Sequence, residues 1–297
     1  MRALLLALAL HATALQAEQG NFQSSGLVTS DGVHLHVIEA GQQKRGQPVI
    51  AFVPGWSMPA SIWAKQIAAL SASHKVVALD PRGQGESEIP ALGYTTERRA
   101  EDLHDLVSRY QPVVLVTWSL GSLEALQYVH QHGESSLRAL VIVDSSVGES
   151  SAQVPKPSPQ GPLPAPGTRF SFQDELRLDR PRAIEAFLRA IFRTPQPEPA
   201  IATLRDAALR MPLEASLSLF PGNRIPRERW RATVNAFRKP LLYAVTPQFA
   251  AQAQRLKAKR PATRVEIFEN AGHALFVDEP ERFNGVLIDF LEANNLM

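Results

Sequence analysis

Val113-Val114-Leu115-Val116-Thr117-Trp118-Ser119-Leu120-Gly121-Ser122 is the stretch of sequence that decides the fold. Its first four residues are all apolar, which is typical of a strand buried on both faces of a parallel sheet, and residues 120–131 have helical spacing. Ser119 therefore lies at a sharp strand-to-helix turn, where a nucleophile is held out at the carboxyl edge of the sheet. Gly121 is small enough for helix and strand to approach, whereas Thr117 stands where the usual pattern has glycine. A serine that only caps the helix is the alternative interpretation.

Strand-like and helix-like segments alternate on both sides of this turn. Two short strands joined by an Asp31-Gly32 turn fit the pattern of residues 26–41. Further strands are predicted at 48–53, 75–79, 113–116, 137–143, 240–245 and 264–268, and helices at 61–70, 97–110, 120–131, 250–259 and 280–292. The alternation predicts an α/β fold in which helices cover both faces of a mostly parallel sheet.

Residues 147–237 interrupt this alternation. The segment 155–166 holds six prolines, so it can form neither a helix nor a central strand. Helix-like pieces follow at 181–192, 198–209 and 227–237, and none contains the pattern of a buried strand. We therefore expect residues 18–146 and 238–297 to form the core, with 147–237 inserted as a Pro-rich linker and a helical lid over the strand ends.

The N-terminus has the layout of a secretory signal peptide. Arg2 precedes the apolar run 3–10, and small residues follow up to Ala17. The run is shorter than the ~20 residues that a membrane-spanning helix needs. We therefore expect residues 1–17 to be a signal peptide and the protein to be secreted or periplasmic. Because the chain has no cysteine, we expect no lipid anchor, disulfide, thiolate metal site or cysteine nucleophile.

Composition and charge narrow the class of partner. The 297 residues are 44% hydrophobic, enough for one large domain with a sizeable core. The net charge is only +2, and no run dense in Lys and Arg is present, which argues against a nucleic-acid partner. We expect a small-molecule substrate, on the site motifs described below, and the sequence does not predict an oligomeric state.

Two further strand ends carry residues that suit serine chemistry. His273, in Asn270-Ala271-Gly272-His273-Ala274-Leu275-Phe276, follows the last predicted strand, from whose end a base could reach a mid-sheet nucleophile. The turn Pro54-Gly55-Trp56 ends another buried strand and could aim the Trp56 N–H at the space above Ser119. With the N–H of Leu120, it would form an oxyanion hole. A surface histidine and an ordinary strand-end turn are the alternatives.

The loop Asp80-Pro81-Arg82-Gly83-Gln84-Gly85-Glu86-Ser87 also begins at a strand end. We expect Asp80 and Arg82 to lock this loop and not to react. His34 and His36 share a strand face and are expected on a solvated hairpin. The lid arginines are expected to lie mostly in solvent: Arg177, Arg180, Arg182, Arg189 and Arg193.

Taken in order along the chain, these four motifs resemble those of the α/β-hydrolase fold family. The similarity is greatest to the branch of small esterases, cofactor-free haloperoxidases (perhydrolases) and lactonases. The resemblance covers nearly all of the chain outside the lid and the signal peptide. It implies Ser119 as the nucleophile, His273 as the base, and Trp56 and Leu120 as oxyanion donors, with neither a cofactor nor a metal.

The acid of the triad departs from the family's pattern. Family members usually carry it after the strand at 240–245, yet no Asp or Glu occurs between Arg229 and Val265. Asp144 ends the strand at 137–143, and triads are defined by geometry and not by order in the chain. We therefore predict Asp144 as the acid, with Glu149 as the second choice and Asp278 on a solvated helix start.

The function that follows is hydrolysis of a carboxylic ester, lactone or thioester through an acyl-enzyme on Ser119. Trp118 and Phe276 are predicted to line an apolar substrate pocket. Perhydrolase or haloperoxidase activity at the same site is one alternative, and a non-catalytic small-molecule receptor is another. Dehalogenases and epoxide hydrolases of this fold need a carboxylate nucleophile, which Ser119 excludes.

Overall fold

The computed structural model describes residues 22–149, 171–220 and 226–297. The predicted signal peptide at 1–17 and the proline-rich segment at 155–166 lie outside the described residues. Within the described ranges, no helix is both long enough and apolar enough to cross a membrane.

An eight-stranded sheet forms the centre of the molecule, in the order β1-β2-β4-β3-β5-β6-β7-β8. β1 and β2 pair antiparallel, as do β2 and β4, and all other neighbours run parallel. The strands are β1 (Gln23–Val28), β2 (His34–Ala40), β3 (Val49–Val53), β4 (Val76–Leu79), β5 (Val113–Trp118), β6 (Leu137–Val143), β7 (Leu241–Val245) and β8 (Arg264–Ile267). The mostly parallel α/β sheet predicted from the sequence is confirmed.

The helices follow the strands as a parallel sheet requires. They are α1 (Ala64–Leu70), α2 (Thr96–Tyr110), α3 (Leu120–His132), α4 (Phe172–Leu178), α5 (Arg180–Ile191), α6 (Glu198–Arg210), α7 (Leu213–Ser218), α8 (Arg227–Ala236), α9 (Pro247–Lys259), α10 (Leu275–Asp278) and α11 (Pro280–Ala293), with a 3-10 helix at Ala60–Trp63. The short helices α4, α7 and α10 were not predicted, because one or two turns are too short to establish a period. α9 begins three residues before its predicted start, with proline at a first-turn position that helices tolerate.

Burial explains why the central strands formed where the apolar runs predicted them. Every residue of β3, β4, β5 and β7 is buried, and β6 exposes only Arg138. Such strands are covered by helices on both faces, so their carboxyl ends are the places where polar side chains can emerge. Three of the sequence motifs lie at these ends.

The helices α4 to α8, called the inserted helices below, lie between β6 and β7 in the chain. They contact the loops at the carboxyl ends of β3 and β4. Ser216 accepts a hydrogen bond on its carbonyl oxygen from the Trp56 indole, 2.8 Å away, and Arg210 donates to the carbonyl oxygens of Gly85 and Ser87. The expectation that the arginines of this region lie in solvent is wrong for Arg180, which is partly buried and donates to backbone carbonyls.

Candidate active site

Strained backbone marks three neighbouring strand ends. Four non-glycine residues in the described ranges have positive φ: Ser57, Ser119, Asp144 and Asn295. The first three follow β3, β5 and β6, which are adjacent in the sheet. Such conformations cost of order 1–3 kcal/mol each and tend to occur where function requires them. This strain locates a candidate site at the centre of the sheet's carboxyl edge.

Ser119 occupies a strained turn between β5 and α3, with φ 55° and ψ −119°. A Cβ atom on Gly121 would lie 2.6 Å from the Pro54 carbonyl oxygen, so only glycine lets the helix approach β3 this closely. Thr117 is accommodated because its hydroxyl lies 3.0 Å from both the Val141 carbonyl oxygen and the Ser122 hydroxyl. The small Ser122 side chain therefore makes room for a threonine where glycine is usual.

Ser119, His273 and Asp144 form one continuous hydrogen-bonded chain. His273 Nε2 lies 2.9 Å from Ser119 Oγ, and its Nδ1 lies 2.7 Å from Asp144 Oδ2. The His273 side chain is 27% exposed, whereas Asp144 is fully buried. An imidazole held in this way can accept a proton from the hydroxyl at one nitrogen while the carboxylate fixes its tautomer at the other.

The Asp144 carboxylate receives its remaining hydrogen bonds from the loop after β7. Thr246 donates to Asp144 Oδ1 from its backbone N–H, at 2.7 Å, and from its hydroxyl, at 2.8 Å. The loop in which family members usually carry the acid thus supplies two donors to an acid on the neighbouring strand. Thr246 was not predicted as a site residue. A threonine before a helix-starting proline predicts an N-cap, but its hydroxyl makes no capping bond.

Glu149, the second choice for the acid, is held elsewhere. Its carboxylate oxygens lie 2.7 and 2.8 Å from Lys259 Nζ, and Asn235 donates to it at 3.3 Å. Burial alone would raise the pKa of Glu149, but the hydrogen bonds from Lys259 and Asn235 lower it below its usual value. The described contacts of Glu149 therefore connect the inserted helix α8 to α9. Of the two candidate acids, only Asp144 forms a described hydrogen bond with His273.

The Pro54-Gly55-Trp56 turn lies directly against Ser119. A Cβ atom on Gly55 would be 3.1 Å from Ser119 Cβ and 3.1 Å from the Trp118 ring, so glycine permits this close approach. In the described part of the chain, neither the Trp56 nor the Leu120 backbone N–H donates to another group. Both N–H groups therefore lack a described hydrogen-bond partner, and the turn that carries Trp56 contacts Ser119 from the adjacent strand end.

The loop that carries His273 is anchored on both sides. The Trp118 indole donates to the His273 carbonyl oxygen at 2.9 Å. Asp278 accepts from the backbone N–H groups of Gly272, Arg193 and Thr194 at 2.7 to 3.0 Å. Asp278, predicted on a solvated helix start, is a partly exposed residue of the short helix α10 whose carboxylate is bonded to backbone N–H groups. Its carboxylate ties the His273 loop to the segment that joins α5 and α6.

Trp118 and Phe276, predicted to line a substrate pocket, are core residues in the structure. Their exposed fractions are 1% and 0%, and their rings pack together with centroids 5.2 Å apart. Phe276 also stacks on Trp63 at 3.7 Å and borders a cavity of about 330 Å³ that none of Ser119, His273 and Asp144 lines. The two rings therefore fill the core beneath the His273 loop. The prediction that they line a substrate pocket is wrong.

Asp80 and Arg82 hold the loop after β4 in place. Arg82 donates to Asp102 and Asp31, and the hydrogen bond from Arg82 lowers the pKa of Asp31 to about 2. Asp80 accepts from backbone N–H groups and from His36 Nδ1, 2.7 Å away. His36 lies on the β1–β2 hairpin, as predicted, but its partly exposed ring is bonded to Asp80 and not free in solvent.

Most of the chain matches one known protein family. The model of the alpha/beta hydrolase family matches residues 50–286, which is most of the chain. The protein belongs to this family. The match starts in β3 and ends in α11, so it contains every residue of the candidate site. Within the described residues, no group of three or more His, Cys, Asp or Glu side chains could hold a metal ion.

Curated relatives and solved structures are similar over different lengths. A non-heme chloroperoxidase of Kitasatospora aureofaciens is 35% identical over 120 residues, or 39% of this chain and 42% of that protein. A pimeloyl-[acyl-carrier protein] methyl ester esterase of Vibrio cholerae is 27% identical over 83% of this chain and 94% of that protein. The structure of an esterase from Exiguobacterium antarcticum superposes with a TM-score of 0.74 at 22% identity, covering 91% of this chain and all of that one. At 22% identity, the likeness to this esterase structure shows a shared fold and nothing more.

Proposed function

We propose that the protein is a serine hydrolase that cleaves a carboxylic ester through an acyl-enzyme on Ser119. The observation that carries this proposal is the unbroken chain of hydrogen bonds from Ser119 Oγ through His273 to Asp144, with distances of 2.9 and 2.7 Å. Membership of the hydrolase family supports the reaction class, and a curated relative that is a methyl ester esterase supports the type of bond.

Acylation begins when Ser119 Oγ attacks the ester carbonyl carbon and His273 Nε2 takes the hydroxyl proton. Asp144 stabilises the imidazolium that forms, without itself being protonated. The negative charge that develops on the carbonyl oxygen is met by the N–H groups of Trp56 and Leu120. His273 then gives its proton to the leaving alcohol, and the acyl group stays on Ser119.

Deacylation repeats these steps with water as the nucleophile. His273 removes a proton from the water as it attacks the acyl carbon, and the oxyanion forms again between Trp56 and Leu120. Collapse returns the proton to Ser119 Oγ and releases the carboxylic acid. The same sequence opens a lactone or cleaves a thioester, because only the leaving group differs.

The inserted helices are proposed to act as a lid that limits the size of the substrate. The side chain of the proposed oxyanion donor Trp56 is surrounded by three phenylalanines of this region, with ring centroids 4.7 to 5.7 Å away. They are Phe172, Phe187 and Phe220. We propose that these partly buried rings form an apolar wall of the substrate site, which would favour an uncharged acyl or aryl ester over a strongly charged one.

Steady turnover of p-nitrophenyl esters tests the proposal. We expect Ser119→Ala to reduce kcat/KM by roughly 10⁵-fold or more, as loss of a triad nucleophile does. Ser108→Ala, at an exposed serine on α2, is the matched control and should leave turnover unchanged. Equal activity of Ser119→Ala and wild type would refute the serine mechanism.

A second candidate is perhydrolysis at the same site, and the similarity to a non-heme chloroperoxidase favours it. Hydrogen peroxide would replace water in the attack on the acyl group of Ser119, giving a peracid and the free hydroxyl. With acetate, peroxide and bromide present, the peracid would oxidise bromide to hypobromous acid and return to the carboxylic acid, and bromination of monochlorodimedone by the hypobromous acid would detect it. Absence of bromination by an enzyme that hydrolyses esters would leave hydrolysis as the single activity.

We also propose export through the N-terminal segment 1–17, because its charge and apolar run match a signal peptide. Expression of the full chain in a bacterium, followed by N-terminal sequencing of the periplasmic fraction, tests this. A mature N-terminus shortly after Ala17 is expected. Protein that keeps Met1 and stays in the cytoplasm would contradict export.

A further inference from the structure

The buried Gln84 side chain contacts the Pro54-Gly55-Trp56 turn, whose Trp56 N–H is a proposed oxyanion donor. Gln84 donates from Nε2 to the carbonyl oxygens of Gly55, at 3.0 Å, and Met58, at 2.8 Å. The Gly55 carbonyl and the Trp56 N–H belong to the same planar peptide unit. Fixing the carbonyl oxygen therefore fixes the direction in which the Trp56 N–H points.

The orientation of the Gln84 amide follows from its neighbours. Backbone carbonyls accept hydrogen bonds only and a guanidinium donates only. Arg99 Nη1 donates to Gln84 Oε1 at 3.0 Å, so the amide nitrogen must face Gly55 and Met58. All three polar contacts of the amide are thus satisfied in one orientation, which holds the side chain rigidly.

Arg99 extends this contact to the helix that follows Ser119. Its Nε lies 2.8 Å from Oε1 of Glu124 on α3. Gln84, Arg99 and Glu124 are each 1% exposed, so water does not compete for these contacts. The series Glu124, Arg99, Gln84 and Gly55 therefore joins α3, whose first N–H is that of Leu120, to the peptide unit that carries the Trp56 N–H.

We propose that Gln84 is a positioning residue that, held by Arg99 and Glu124, sets the spacing and direction of the two oxyanion N–H groups. It acts through the backbone of the turn and does not touch the substrate. The inference rests on the proposed serine mechanism. Because an oxyanion forms only in the transition state, loss of the correct spacing should lower kcat much more than it changes KM.

Gln84→Glu is the sharpest variant, because the shape and the Arg99 contact are kept while the donors to Gly55 and Met58 are lost. We expect kcat to fall by roughly 10- to 100-fold, as small displacements of catalytic groups do, with KM within about 3-fold of wild type. The affinity for a trifluoromethyl ketone, which forms an oxyanion on Ser119, should fall by the same factor as kcat/KM.

Gln127→Glu is the matched control. Gln127 is a buried glutamine on α3 whose partners, Gln131 and Arg229, lie outside the site. This variant should keep wild-type kcat and inhibitor affinity. A Gln84→Glu protein with a wild-type Tm and unchanged kcat and inhibitor affinity would overturn the inference. So would a change in KM alone.

Arg99→Lys covers the case in which Gln84→Glu does not fold. It keeps a positive charge beside Glu124 but removes the guanidinium donor to Gln84, so the same selective loss of kcat is expected at about 3- to 10-fold. A folded Arg99→Lys protein with wild-type kcat and inhibitor affinity would contradict the inference.

Hydrogen exchange separates this inference from the proposed function. If the wild type shows no Ser119-dependent turnover, the proposed function fails, and the amide exchange of residues 53–58 still tests the role of Gln84. Exchange at least several-fold faster in Gln84→Glu than in wild type and Gln127→Glu would support it. Equal exchange would overturn it.

Discussion

Two buried carboxylates on neighbouring parts of the fold have opposite roles. Asp144, at the carboxyl end of β6, receives hydrogen bonds from Thr246 and lies 2.7 Å from the partly exposed His273 ring. Glu124, inside α3, lies 2.8 Å from the buried Arg99, and burial raises its pKa to about 7 while Arg99 opposes that rise. In the proposed mechanism the strand-end carboxylate acts on His273, whereas the helix carboxylate is proposed to hold the backbone of the neighbouring turn in place.

This difference predicts that variants of the two regions fail in different ways. Changes at the strand ends should remove activity while the protein stays folded. Changes between α2 and α3 should first reduce stability and affect the reaction only through the turn at Gly55.

Among variants of the two carboxylates and their neighbours, Asp144→Asn should have the largest effect. The amide would favour the wrong tautomer of His273 and could not stabilise the imidazolium, so kcat should fall by roughly 10⁴-fold. Steady-state kinetics on a p-nitrophenyl ester would measure the loss. Glu149→Gln is the matched control, because Glu149 bonds to Lys259 and Asn235, and its activity should be near wild type. A larger loss in Glu149→Gln than in Asp144→Asn would reverse the assignment.

Arg99→Leu should lower the free energy of unfolding by about 3–5 kcal/mol, because it leaves the buried Glu124 without a partner. The double variant Arg99→Leu with Glu124→Leu should recover much of this loss, since an apolar pair can replace a buried ion pair. Denaturant titration of the two variants would measure both values. An Arg99→Leu protein that is as stable as wild type would show that the Arg99–Glu124 pair does not stabilise the fold.

Trp56→Phe should have a smaller effect on stability. The ring would still contact the inserted helices, but the Ser216 carbonyl oxygen would lose the indole donor that lies 2.8 Å away. The expected fall in the free energy of unfolding is about 1 kcal/mol. Faster proteolysis of the inserted helices should accompany it. Unchanged stability and proteolysis would indicate that this contact does not hold the inserted helices on the core.

His36→Gln should have the smallest effect, and one that depends on pH. The hydrogen bond to Asp80 raises the pKa of His36 above its usual value, so the protonated form stabilises the folded state. This contribution is full below the unfolded pKa of about 6.5 and is lost as the pH rises through the folded value. The stability difference between wild type and His36→Gln, measured by thermal unfolding, should therefore become smaller as the pH rises from 5.5 to 8.5. A difference that is constant over this range would contradict the prediction.

Much of the fold could be predicted because the central strands are fully buried and their apolar runs are continuous. The boundaries of β6, predicted at 137–143, agree with the structure. The short helices α4, α7 and α10 could not be predicted, since they span too few residues to show a period. The first turn of the segment at 61–70 is a 3-10 helix, a difference that side-chain spacing does not reveal.

The candidate site was predictable where residues follow a buried strand and unpredictable where they act through backbone contacts. Ser119, His273 and Asp144 follow β5, β8 and β6, and the structure brings them together. Thr246 and Asp278 escaped prediction because their partners are distant in sequence and are fixed only by the folded loops. Trp118 and Phe276 were assigned to a pocket because an aromatic residue in the core and one in a pocket have the same sequence pattern.

The acyl group on Ser119 is the central claim, and trapping it tests that claim most directly. Wild-type protein mixed with p-nitrophenyl pivalate, a slowly hydrolysed ester, would be quenched in acid and its peptides analysed by mass spectrometry. The mechanism predicts one pivaloyl group per protein on Ser119, and none on that peptide in Ser119→Ala. Ester turnover with the acyl group on another residue, or on none, would contradict it.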